Sequence, residues 1–144
     1  MFRGKIWLHV KRGIMNSEEL GWVAGIIDGE GSIVLSPGRG RRVVRITVPS
    51  TDLPVLEELR CLAGGYICFR KDKRKQCFEA WMWVLSSNQT LELLQSCHHL
   101  LRCPLKASRA KYIVDNFQKG ISKEESLVFE KGFFEIPDLR QRRG

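Results

Sequence analysis

The chain lacks the long hydrophobic run that a membrane-spanning helix requires. An apolar run extends from Leu20 to Ile27, far short of the roughly 20 apolar residues that cross a bilayer. Residues 1–13 are basic and contain no apolar segment like the centre of a secretory signal peptide. We therefore expect neither a membrane partner nor a secreted protein.

The chain also lacks any pair of cysteines with C-x-x-C spacing. The odd count of five cysteines disfavours a secreted disulfide framework, and the missing C-x-x-C pairs disfavour a zinc framework. Cys97, His98, His99 and Cys103 lie close together in sequence, and we interpret them as ordinary helix residues rather than a metal cluster. Reduced thiols are typical of intracellular proteins. The sequence does not distinguish the cytoplasm from an organelle.

Acidic residues are scarce relative to basic ones, with 16 Asp and Glu against 24 Lys and Arg and a net charge of +8. A basic folded domain favours a polyanionic partner. The excess of positive charge does not distinguish DNA from RNA or from an acidic membrane surface. The competing interpretation is that the charge only keeps the protein soluble. There is no internal repeat, and 144 residues suit one domain. We assign residues 1–15 to a basic N-terminal extension and residues 16–144 to a single domain.

The chain does contain a glycine-rich apolar segment from Leu20 to Gly31, with the sequence L-G-W-V-A-G-I-I-D-G-E-G. Asn16 and Glu19 precede it with the spacing of a capping box, which predicts the start of a helix. Glycines recur every four residues and share one stripe of that helix: Gly21, Gly25 and Gly29. Each interior glycine costs a helix about 1 kcal/mol relative to alanine. Close packing of a second helix along the stripe would explain this cost.

The predicted helix ends with two acidic residues, Asp28 and Glu30. The C-terminal end of a helix carries partial negative charge and unpaired carbonyls, so carboxylates are unfavourable there unless a cation binds. If two such helices pair, their acidic ends converge. Hard divalent cations such as Mg²⁺ prefer carboxylate and carbonyl oxygens, which this end supplies.

Residues 23–31, V-A-G-I-I-D-G-E-G, resemble the LAGLIDADG motif of homing endonucleases, with Glu30 in the second acidic position. The resemblance covers roughly residues 16–120. It implies an α+β fold of order α-β-β-α-β-β-α whose four-stranded antiparallel sheet forms a DNA-binding saddle. Family members with one motif act as homodimers, so the single motif here implies a homodimer.

The pattern of the chain agrees with that order. Strands are predicted at 32–36, 41–48, 66–70 and 77–85. Helices are predicted from 50–52 to 64–65, from Thr90 to Leu101, from Pro104 to Gly120, and after a capping box at Ser122 and Glu125. In the second strand Arg41, Val43, Arg45 and Thr47 share the polar face. In the fourth strand we place Phe78, Ala80, Met82 and Val84 in the core, and Glu79, Trp81 and Trp83 on the polar face.

The resemblance also implies the catalytic residues. Glu30 and the carbonyl of Gly29 would bind the metal, Mg²⁺ or another divalent cation such as Mn²⁺ or Ca²⁺, whereas Asp28 would have a structural role. Lys106, near the start of the helix that follows Pro104, is the candidate that positions water or offsets phosphate charge; the alternative is a solvated lysine. Ser50 matches a third, polar position of the family. It is shorter than the usual glutamine or asparagine, and a helix-capping role is the more natural interpretation.

Two further sets of residues follow from the resemblance. The polar face of the sheet would read bases in the major groove, while basic turns would contact phosphates. The candidates for DNA binding are Ser36, Arg39, Arg41, Arg45, Thr47, Tyr66, Arg70, Lys71, Lys73, Glu79, Trp81 and Trp83. The candidates for the dimer interface are Gly21, Ala24, Gly25 and Asp28.

The sequence therefore favours a metal-dependent, homodimeric endonuclease that cuts double-stranded DNA at a long, near-palindromic site. The alternative is an intron RNA maturase or a nucleic-acid-binding module that uses the same fold. A nucleotide-binding enzyme that uses Gly29-x-Gly31 is a weaker third possibility, because no Walker lysine follows and these glycines end a helix instead of beginning one.

Overall fold

A computed structural model describes residues 15–38, 42–71, 79–117 and 121–138. Helix α1 spans Ser17–Glu30 and begins as predicted. The side chain of Asn16 accepts a hydrogen bond from the Glu19 amide at 2.8 Å, and the Glu19 carboxylate accepts one from the Asn16 amide at 3.0 Å. This reciprocal capping satisfies two amides at the helix start. The predicted N-terminal extension, Met15 apart, lies outside the described residues.

Four strands form one antiparallel sheet in the order β1-β2-β4-β3. They are β1 (Ser32–Pro37), β2 (Arg42–Ser50), β3 (Tyr66–Lys71) and β4 (Glu79–Ser86). Only Gly31 separates the end of α1 from the start of β1, so the acidic end of that helix lies at one end of the sheet.

Helix α2, Leu53–Ala63, connects β2 to β3 and has a proline in its first turn, as predicted. It ends at Gly64 and Gly65, whose φ angles are +88° and +87°. A Cβ atom at Gly65 would lie 2.5 Å from the Val84 carbonyl oxygen. Both the conformation and the close approach require glycine, so the predicted end of the helix is confirmed.

Three helices follow the sheet in the described part of the chain. They are α3 (Ser87–Cys97), α4 (Pro104–Asn116) and α5 (Lys123–Phe134), and a single 3-10 turn (His98–Leu100) follows α3. The element order is α-β-β-α-β-β-α with two further helices, which confirms the predicted α+β class and order.

The bounds of these helices differ in detail from the predictions. α3 begins three residues before Thr90, because the buried Thr90 hydroxyl donates to the Leu85 carbonyl at 2.9 Å and ties the helix to the end of β4. The predicted capping box at Ser122 and Glu125 is present and begins α5. Gly120 lies outside the described residues.

The helices pack on one face of the sheet and enclose the core. β2 alternates as predicted, since Val44, Ile46 and Val48 are buried in this core and Arg45 and Thr47 point to the opposite face. None of the helices in the described ranges is long and apolar enough to cross a membrane.

The predicted faces of β4 are wrong. Trp83 is fully buried in the core, where it pairs with Val48 and its indole nitrogen donates to the Gly64 carbonyl at 2.8 Å. The indole is large and apolar, and with this one hydrogen bond satisfied it suits the interior. Met82 and Val84 therefore point to the opposite face of the sheet.

Candidate functional site at the end of helix α1

Helix α1 leaves its glycine stripe uncovered. Gly21, Gly25 and Gly29 are exposed, and a Cβ atom built on any of them meets no atom within 4 Å. Trp22 lies beside the stripe with 38% of its surface exposed. The stripe is therefore an open surface along the helix that ends at Glu30.

Ala24 does not belong to this stripe. Its side chain is 2% exposed and packs in the core of its own chain with Val23 and Ile27. The prediction that Ala24 lies in a dimer interface is wrong, because a position one residue before Gly25 faces away from the stripe in a helix.

Asp28 caps another helix. Its carboxylate accepts hydrogen bonds from the amides of Arg102 and Cys103 at 2.8 and 3.0 Å, just before α4 begins at Pro104. A negative charge at the N-terminal end of a helix is favourable, and these amides would otherwise lack partners. This agrees with the structural role that the resemblance implies for Asp28, and it explains one of the two acids without a metal.

Lys106 makes the reciprocal contact. It lies in the first turn of α4, and its ammonium donates to the carbonyls of Ile27 and Asp28 at 3.0 and 2.6 Å. Lys106 is half-buried, so it is not a solvated lysine. It places a positive charge on the last carbonyls of α1, where the helix dipole favours one. We call Asp28 and Lys106 the crossed brace, since each caps the helix of the other.

Glu30 lies just beyond the crossed brace. It is exposed, and its carboxylate has no hydrogen bond or ion pair with the described residues. The neighbouring carbonyl of Gly29 is among those that a helix end leaves without an intrahelical partner. An exposed carboxylate and a carbonyl fit a hard divalent cation, but they supply only part of the six oxygens it needs. Within the described ranges no three His, Cys, Asp or Glu side chains form a metal site.

Cys97 lies close to Asp28 in the core. Burial, and to a smaller extent the negative charge of Asp28, raises the pKa of the Cys97 thiol to about 12. The thiol is therefore protonated at physiological pH. This agrees with the interpretation of Cys97 as an ordinary core residue.

Ser50 ends β2, and its hydroxyl accepts a hydrogen bond from the Asp52 amide at 2.9 Å. This bond orders the turn that leads into α2, but the N-cap residue of α2 is Asp52 and no side chain caps the helix, so the prediction that Ser50 caps α2 is wrong. The end of β2 lies beside α1, because a Cβ atom at Gly31 would be 3.3 Å from the Val48 side chain. A catalytic role for Ser50 stays a prediction.

The face of the sheet opposite the core carries the predicted base-reading residues. We call it the open face. Its strand pairs place Ser32, Thr47, Val84 and Tyr66 in one row across all four strands, and Val34 and Arg45 in the next. Ser36, Arg45, Thr47 and Tyr66 therefore lie on the predicted face. The Nε atom of Arg45 is buried and has no hydrogen-bond partner among the described residues.

The open face is more apolar than the sequence analysis predicts. Val34, Val43, Met82 and Val84 lie on it. Trp83 does not, and Trp81 is half-buried against the core, with its ring centroid 4.8 Å from that of Phe69. The prediction that Trp83 contacts DNA is wrong, and the prediction for Trp81 is not supported, since its ring packs on the helix side. The side chains of β4 are apolar at both odd and even positions from Ala80 to Leu85, so the sequence carries no signal for the true face.

Several predicted DNA contacts lie outside the described residues. They are Arg39, Arg41 and Lys73. The backbones of Arg70, Lys71 and Glu79 form the ends of β3 and β4, but their side chains are not described.

Comparison with solved structures finds several homing endonucleases. The archaeal intron-encoded homing endonuclease I-Vdi141I, in complex with DNA, is 14% identical with a TM-score of 0.48, over 81% of this chain and 97% of that chain. A mutant of I-SmaMI is 18% identical with a TM-score of 0.45, over 81% of this chain and 50% of that chain. The LAGLIDADG homing endonuclease I-SmaMI bound to cleaved DNA is 18% identical with a TM-score of 0.34, and this chain spans half of it.

No protein-family profile matches the chain, and no curated protein sequence matches it. Structural likeness at these TM-scores does not identify a function. The functional proposal below therefore depends on the motif at residues 23–31 and on the geometry at the end of α1.

Proposed function

We propose that this protein is a site-specific endonuclease that cuts double-stranded DNA as a homodimer inside the cell. The observation that carries the proposal is the position of Glu30. It is an exposed carboxylate without a partner among the described residues, and it lies at the end of an open glycine stripe. The motif that contains it resembles that of the LAGLIDADG endonucleases.

The homodimer would form along the glycine stripe. Two helices can approach closely where neither carries a Cβ atom, and small residues every four positions provide such a contact. The exposed Trp22 beside Gly25 would add apolar area to it. A twofold axis parallel to the paired helices would bring the two Glu30 carboxylates together, and a near-palindromic DNA site would mirror this symmetry.

Glu30 and the Gly29 carbonyl from each chain would hold a divalent cation, most simply Mg²⁺, with phosphate oxygens completing its ligands. When bound, the cation would supply an activated water and neutralise charge on the leaving oxygen. Lys106 has three N–H donors, of which two bind the carbonyls of Ile27 and Asp28. Its third donor is available to a phosphate oxygen, and Asp28 keeps α4 in place for this contact.

The open face would bind the DNA. Ser36, Arg45, Thr47 and Tyr66 supply donors and acceptors for base edges, and the half-buried Val34, Val43 and Met82 between them suit thymine methyl groups. The net charge of +8 would attract the phosphate backbone without reading its sequence.

The decisive experiment replaces Glu30 by glutamine. We expect Glu30→Gln to abolish Mg²⁺-dependent cleavage of a plasmid library of candidate sites while binding to the selected site is retained, because the amide keeps the shape but loses the charge. Glu18→Gln, at the opposite end of the same helix and also exposed, is the matched control and should cleave normally. Full activity of Glu30→Gln would refute the proposal. Tight binding to RNA without DNA cleavage by the wild-type protein would favour the maturase alternative.

A further inference from the structure

Arg42 lies at one end of the sheet and does not face the open side. It begins β2 and shares the side of the sheet on which Val44 and Ile46 are buried. Its Nε atom lies 3.6 Å from the Glu130 carboxylate, and its backbone amide donates to the same carboxylate at 3.5 Å. The guanidinium also lies over the Phe134 ring, 5.4 Å from the centroid. Two contacts with α5 therefore hold the guanidinium, and a third holds the Arg42 backbone.

Glu130 is well placed to hold the Arg42 guanidinium. Its side chain is 15% exposed, against 44% for Arg42. The Ser126 hydroxyl, buried within α5, donates to the same carboxylate at 3.4 Å. The acid is thus held by its own helix, while the arginine is the more accessible partner.

The position of α5 is set independently of this ion pair. Phe133 is 1% exposed and packs under the Arg109 guanidinium. The Tyr112 hydroxyl of α4 donates to the Phe129 carbonyl at 2.9 Å. Neutralising Glu130 therefore leaves the helix anchored, and only Arg42 is released. A groove of about 560 Å³, lined by Arg42, Lys123 and Glu130 among others, leaves room for the guanidinium to turn toward solvent.

We infer that Glu130 is a specificity-determining residue that withholds the charge of Arg42 from DNA. Once unpaired, an arginine at this end of the sheet could turn through solvent to a phosphate of DNA bound on the open face, and such contacts add affinity without reading sequence. By pairing Arg42 on the core side, Glu130 lowers non-specific binding and leaves sequence recognition to the open face. This inference rests on the proposed function, since it presumes that the open face binds DNA.

The test measures binding to random-sequence duplex DNA over a range of salt concentrations. Each added phosphate contact steepens the dependence of log affinity on log salt by about 0.9. We expect Glu130→Gln to gain one such contact, so that a fourfold rise in salt reduces its affinity about 3.5-fold more than it reduces that of the wild type. Glu124→Gln makes the same charge change at an exposed position of α5. It should keep the wild-type slope of log affinity against log salt concentration, the salt slope.

A second variant keeps the inference testable if Glu130→Gln folds poorly. Arg42→Gln should leave the salt slope unchanged, because Arg42 is already paired, and it should cancel the gain when combined with Glu130→Gln. Equal slopes for Glu130→Gln and Glu124→Gln would overturn the inference, and so would a shallower slope for Arg42→Gln alone. Absence of DNA binding by the wild-type protein would instead overturn the proposed function together with this inference.

Discussion

The crossed brace predicts an unusually large stability effect for one lysine. In Lys106→Met, the Asp28 carbonyl loses its 2.6 Å bond, whereas the Ile27 carbonyl still accepts from the Gly31 amide at 3.0 Å. One lost hydrogen bond to a charged group costs about 1.5–3 kcal/mol, and the lost charge at the helix end costs about 0.3–1 kcal/mol. Because Lys106 is only half-buried, water can bind the freed Asp28 carbonyl and offset part of this free-energy cost. We expect a net loss of about 2 kcal/mol, or about 4–8 °C in Tm for a chain of this size.

The matched control lies on the same helix. Lys111 pairs with Asp115 at 2.8 Å, but their side chains are 67% and 51% exposed. An exposed pair four residues apart in a helix contributes about 0.3–0.5 kcal/mol, so Lys111→Met should shift the urea midpoint only slightly. Urea unfolding of both variants, followed by circular dichroism, measures the difference. If Lys106→Met is as mild as Lys111→Met, the brace does not hold the two helix ends together.

Two further predictions concern the packing of α5 on α4 and the raised pKa of Cys97. Gly132→Ala, which would stabilise an ordinary exposed helix by up to about 1 kcal/mol, should instead destabilise the protein by about 1–3 kcal/mol, because the new Cβ would collide with the hydroxyl and ring of Tyr112. Denaturant unfolding should show that Tyr112→Phe combined with Gly132→Ala costs less than the two single changes added together. Cys97 stays protonated in the folded protein up to a pKa of about 12, against 9.0 for a free thiol, so its contribution to stability is full below pH 9.0 and is lost as the pH rises toward 12. The free energy of unfolding, measured from denaturant titrations across that pH range, should therefore fall less steeply with pH in Cys97→Ala than in the wild type. An identical fall in the two proteins would contradict the raised pKa.

Local signals predicted most of the fold. The capping residues Asn16 and Ser122 begin α1 and α5, and Gly64 ends α2, because each acts on backbone groups within a few residues of itself. The alternation in β2 was also enough to predict its buried face, since the two faces of this strand differ clearly in polarity. Each of these signals lies within one element and needs no knowledge of what packs against it.

The orientation of β4 shows where such signals fail. The segment A-W-M-W-V-L is apolar at both odd and even positions, so alternation cannot identify the buried face. Which face of β4 is buried depends on tertiary contacts, because the buried Trp83 indole needs one hydrogen-bond acceptor. The Gly64 carbonyl, 19 residues away, is that acceptor. Assigning the positions that include Glu79 to the polar face therefore places Trp83 on the wrong side of the sheet.

The contacts of Asp28 and Lys106 were equally invisible in the sequence, since they join positions 74 to 79 residues apart. They also change the electrostatic case for a metal. Two acids at a helix end suggested that a cation must bind there, but Asp28 caps α4 and Lys106 supplies a positive charge without any metal. Only Glu30 remains outside this arrangement. A single exposed carboxylate binds a divalent cation weakly, so the proposed metal site requires a second Glu30, which the proposed homodimer would supply by symmetry.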